Sequence, residues 1–124
     1  MTLKMNTPTN LNSNLELFTD LWSPKVIVEL NDYQFKLVKI EGQLTGHEHK
    51  GIDEFFLVIE GSIGIEFKDK IETFKEGEMI VVKKGEHHKP FAFEEYKVLM
   101  VEQRGVFNTG DSSGNLNSEN DIWI

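Results

Sequence analysis

The sequence predicts an all-β fold, a double-stranded β-helix or jelly-roll barrel, with one short N-terminal helix ahead of it. Between Lys25 and Gln103, short apolar stretches alternate with turn residues, and no segment there is periodic over the length of a helix. Several of these stretches, Phe55-Phe56-Leu57-Val58-Ile59 and Met79-Ile80-Val81-Val82 among them, are apolar at both parities. A strand of that kind is covered on both faces. Strands this close together cannot all reach a separate helical layer, so closure into a barrel with a second subunit against one outer face is the economical arrangement. A homodimer is therefore expected, and 124 residues suffice for a single domain.

The elements follow in order. Residues 1–24 form an N-terminal arm, in which Ser13 and Glu16 read as a capping box opening a short helix at Leu15, Leu17 and Phe18. Ser23-Pro24 stops it, because proline disfavours helix in the residue before it. The barrel spans 25–104, with strands near Lys25 to Leu30, Tyr33 to Ile40, Glu54 to Glu60, Ile63 to Phe67, Ile71 to Phe74, Met79 to Lys83 and Tyr96 to Gln103. Residues 105–124 are a tail of loop composition ending in Asp121-Ile122-Trp123-Ile124, whose apolar side chains are expected to dock on the barrel or on a dimer partner.

Composition narrows the function classes. A formal net charge of −8, with no basic stripe, argues against nucleic acid and anionic lipid. The absence of cysteine removes disulfides, thiolate metal sites and a thiol nucleophile. No apolar run approaches the ~20 residues of a membrane span, and the N-terminus lacks a signal-peptide core, so a cytoplasmic protein is expected. No Ser-His-Asp set, paired acid–base carboxylates, phosphate loop or dinucleotide fingerprint is present.

All four histidines fall in two tight groups, His47 with His49 and His87 with His88, where strands meet turns. Residues two apart on a strand share a face, so His47 and His49 can converge on one point. Glu54, five residues after His49, opens an apolar strand, where an unpaired carboxylate is costly and a nearby cation removes the cost. Taken singly these signals are weak; the spacing joins them. Gly42, His47, His49, Glu54 and Gly61 lie in a segment that strongly resembles the first motif of the cupin superfamily. Gly77 to Pro90, with Gly85-Glu-His-His88, resembles the second motif, in which a glycine-led strand ends in a Gly-x-x-His turn. The resemblance covers roughly Lys36 to Val101, and the flanks are similar to those of small single-domain bacterial cupins. Lys83, where the second motif usually has proline, and Ala92, where it often has asparagine, depart from the pattern at positions that are not ligands.

The resemblance implies that His47, His49, Glu54 and His88 bind one divalent transition metal inside the barrel, with His87 turned the other way. Nitrogen and oxygen donors without sulfur admit Fe or Mn first and Zn, Ni, Co or Cu as well. Such a set leaves positions for water or substrate and supports Lewis-acid or, with iron, oxygen chemistry. A metal-dependent enzyme on a small organic or sugar-like substrate is the leading expectation, dioxygenase-like first and isomerase or lyase next. The alternative is a non-catalytic small-ligand binding or sensing barrel. By period two, Phe56 shares the face of Glu54, and Phe91 or Phe93 follows His88 towards the pocket, with Met100 from the last strand. Lys36 and Lys39 lie on opposite faces of their strand, so one of them can point inward to an anionic group.

Overall fold

The computed structural model describes residues 6–43, 52–105 and 121–124. One short helix, α1 (Leu11–Leu15), precedes seven strands: β1 (Lys25–Leu30), β2 (Tyr33–Gln43), β3 (Glu54–Glu60), β4 (Ser62–Phe67), β5 (Ile71–Lys75), β6 (Met79–Val82) and β7 (His88–Gln103). The fold is mostly β and all pairings between strands are antiparallel. No helix among the described residues is long and apolar enough to cross a membrane.

The strand order β1-β2-β7-β3-β6, with β4 pairing both β5 and β7, makes β7 the strand that joins three two-stranded pieces. Its first half lies along β4, from Phe67↔His88 to Gly64↔Phe91. Its second half lies between β2 and β3, with Leu99 opposite both Leu37 and Leu57. The sequence places a strand only from Tyr96, whereas β7 starts at His88. Glu94-Glu95 hides that continuity, because both carboxylates are exposed and break the apolar alternation in mid-strand.

Alternation along the strands sorts side chains into two cores. Val38, Ile40, Phe56, Val58, Ile63, Ile65, Val98 and Met100 belong to the cluster that fills the barrel. Each fully buried aliphatic there contributes about 1.5–3 kcal/mol. The opposite parity, with Leu37 buried and Phe35 and Leu99 partly so, packs under Leu15 and Phe18 of the N-terminal arm. The helix is therefore a cover for the outer face. It begins three residues earlier than the Ser13 capping box implies: Asn10 is the N-cap, its side chain accepting from the Ser13 N–H at 2.9 Å, and Glu16 closes the helix. Asparagine caps as well as serine does, and the register is settled by the burial of Leu15.

Two backbone details frame the barrel. Trp22 turns the arm with φ of 58°, its amide donating to the Lys39 carbonyl and its indole to the Glu41 carbonyl, both at 2.8 Å. Gly61, after β3, has φ of +88° and sits so close to the Tyr96 ring that an added Cβ would fall 1.8 Å from it. Only glycine suits both demands. At the other terminus the Val26 amide donates to the Ile122 carbonyl and the Ile124 amide to the Val26 carbonyl, laying 121–124 along β1.

Candidate metal centre

Glu54 opens β3 and His88 opens β7, and their parities direct both into the barrel, where they are 3 % and 1 % exposed. His88 Nε2 lies 3.1 Å from Glu54 Oε1. On the other side of the imidazole, Nδ1 is 2.9 Å from the Glu86 carbonyl oxygen. A carbonyl only accepts, so Nδ1 carries a proton and donates to it, and Nε2 is the nitrogen turned to Glu54 in the interior. That is how metal-ligating histidines are oriented, with one nitrogen tied to the backbone and the other facing the ion. The ring also stands edge to face with Phe56, centroids 6.4 Å apart. His87 is exposed.

His47 and His49 lie outside the described residues. Among the described residues no group of three or more His, Asp or Glu side chains that could hold a metal ion is found. The donor chemistry nevertheless suits a divalent ion: one carboxylate oxygen and one imidazole nitrogen, both buried, meet inside the barrel.

Sequence reasoning offers Lys36 as a candidate inward lysine but misses its partner Glu102 behind Glu54. Lys36 on β2 is fully buried, and its ammonium donates to Glu102 Oε1 at 2.9 Å. Glu102 on β7 is 1 % exposed, and its other oxygen has no hydrogen-bond donor among the described residues. Burial pushes the Glu102 carboxyl up to about 7; Lys36 opposes the rise and the neighbouring Glu54 carboxyl adds to it. Gln34, paired with Glu102 across β2 and β7, donates outward to Glu29 at 2.9 Å and Asp121 at 2.8 Å. The signal for Glu102 was present: it follows Val98 and Met100 at the inward parity.

The expected pocket residues divide. Lys36 is the inward lysine of its strand, and Phe56 and Met100 line a cavity of about 40 Å³ together with Val38, Ile40 and Val98. Glu54 is the single charged residue on its wall among the described residues, and Trp22 and Pro24 of the arm complete it. Lys39, by contrast, lies outside the barrel, where its ammonium donates to the Phe18 carbonyl at 2.6 Å and sits 4.8 Å from the Phe18 ring centre. Phe91 and Phe93 also face outward. Because His88 is inward, period two turns Pro90 and Ala92 inward with it, leaving Phe93 88 % exposed. Phe91 packs over Gly64. Residues 106–120 of the tail lie outside the described residues.

Comparison with known proteins agrees with this architecture. Residues 36–102 match the family model Cupin_2, cupin domain. The crystal structure of a cupin-2 domain containing protein from Shewanella frigidimarina is 51 % identical, with 77 % of this chain and 94 % of that one covered and a TM-score of 0.77. A Neisseria meningitidis protein of known structure is 30 % identical over 78 % of this chain and 99 % of its own, with a TM-score of 0.72. The uncharacterized protein YdbB of Bacillus subtilis is 33 % identical over 79 residues, 63 % of this chain and 70 % of that protein.

Proposed function

This chain belongs to the Cupin_2 family of cupin domains, and from that premise we propose that it holds one divalent transition metal with His47, His49, Glu54 and His88 and acts on a small organic substrate. The observation that carries the reading is the pairing of His88 and Glu54. A buried imidazole with its proton committed to the Glu86 carbonyl turns Nε2 towards a buried carboxylate 3.1 Å away. With a divalent cation, three neutral imidazoles and one carboxylate leave a single net positive charge at the site. Iron and manganese are the favoured ions; zinc, nickel, cobalt or copper suit the same donors.

The bound ion would supply Lewis acidity or, as iron, one-electron oxygen chemistry. The chain's own residues do the rest. Glu86 fixes the His88 tautomer through its carbonyl, and Phe56 backs the imidazole. Val38, Ile40, Val98 and Met100 exclude water and favour a small, largely apolar ligand whose polar end meets Glu54. A dioxygenase-like reaction heads the reading, with isomerase or lyase chemistry next, in a cytoplasmic homodimer.

Elemental analysis of protein prepared under low oxygen tests it, beside a variant carrying His47→Ala, His49→Ala and His88→Ala. The expected result is near-stoichiometric iron or manganese in the parent and its loss in the variant. Equal, substoichiometric metal in both would reject the four-ligand site and leave a metal-free binding barrel. Oxygen uptake with small aromatic and aliphatic acids then separates the dioxygenase reading from the others.

A further inference from the structure

Lys36 and Glu102 stand out because the proposed ligand set makes no use of them. Both are charged, both are sealed from solvent, and they are bonded to each other at 2.9 Å in the interior of a small barrel. Desolvating two charges costs several kcal/mol per ion, and well-packed apolar residues often replace such a pair without loss of stability. A purely architectural account of the pair is therefore weak.

Their position supplies the better account. Register sets Gln34 opposite Glu102 and Lys36 opposite Met100, with Phe56 next to Met100 on β3, so Glu54 enters the same end of the barrel one inward position from Phe56. The register Phe56↔Met100 and Phe55↔Val101, carried one residue further, sets Glu54 across from Glu102, and His88 lies against Glu54 at Oε1. Glu54 is thus confined between His88 from the start of β7 and Glu102 from its end. Lys36 holds Glu102 in place from β2.

We infer that Lys36 and Glu102 are a positioning pair for the metal ligand Glu54: Lys36 anchors Glu102, and Glu102 limits the directions in which the Glu54 carboxylate can turn. This rests on the metal-binding reading above. Groups that orient a ligand from behind typically change metal affinity 10–100-fold when removed.

The test compares the dissociation constants of Mn²⁺ and Zn²⁺, by chelator competition, for the full-length parent and for Lys36→Met combined with Glu102→Met. At pH 8, above the Glu102 value of about 7, removing both groups takes away one positive and one negative charge, so a loss of affinity reports position. The expected outcome is an unchanged or raised melting temperature with binding weakened about 10–100-fold, and an altered Mn²⁺ electron paramagnetic resonance spectrum. A folded double variant that binds both ions as tightly as the parent overturns the pair's role while leaving the metal site intact. A parent that binds neither ion overturns the metal reading and this inference with it. If the double variant fails to fold, Glu102→Gln keeps the volume and the acceptor for Lys36 but removes the negative charge; weaker binding supports the role, and unchanged binding rejects it.

Discussion

The two ends of the barrel interior are built from the same strands two to four residues apart, yet they follow opposite rules. On β2, β3 and β7 one end presents Val38, Val58 and Val98, while the other presents Gln34, Lys36, Glu54 and Glu102, all buried, with His88 from across the barrel. The apolar end gains stability from every atom it buries. The polar end buries charge, which lowers stability unless each group is met by another. The contrast teaches that one end of this molecule is arranged for folding and the other at folding's expense.

Breaking that contrast should give the largest effects. Lys36→Met alone leaves Glu102 buried without its counter-charge and is expected to cost about 3–5 kcal/mol at pH 8 in urea unfolding. At the apolar end, Ile65→Ala opens a cavity where the side chain is wholly buried; it should cost about 2–5 kcal/mol, and metal stoichiometry should not change. Comparable metal loss in that variant would erase the distinction between the ends.

A pH series sharpens the comparison. The folded Glu102 pKa is raised from 4.5 to about 7, so the folded protein binds the proton more tightly than the unfolded chain. Its contribution is full below about 4.5 and is lost as pH rises through about 7. The chelator-treated protein should therefore lose stability across that window, and Lys36→Met with Glu102→Met should flatten the slope. The smallest change belongs to neither end: Phe93→Ala, on an exposed outer position, should move stability by no more than about 0.5 kcal/mol and leave ligand binding as it was.

Much of this architecture is legible in the sequence. Strands β1 and β3 begin and end where apolar content and turn residues put them, because nothing competes with alternation there. β7 was half missed because two adjacent glutamates on a solvent-facing stretch erase the pattern that the register still obeys. At the site, Glu54 and His88 were readable from motif spacing, and their burial follows from parity. Lys36 against Lys39 could not be decided from sequence, since the choice depends on which face Phe18 and the arm cover. Phe91 and Phe93 are near His88 in sequence but not in the pocket, because strand residues an odd number apart face opposite sides. Glu102 carried an inward parity that only its salt-bridge partner on a distant strand makes affordable.

The place of β7 in the sheet bears on how the protein is made. The pairs β1–β2, β3–β6 and β4–β5 can form from what has already left the ribosome, but they are hydrogen-bonded into one sheet only through β7, which is translated after them all. Closure must therefore await the segment His88–Gln103, and contacts between positions so far apart in sequence are slow to form. Because His88 opens that strand, the proposed ligands would be brought together only when β7 has paired with its neighbours.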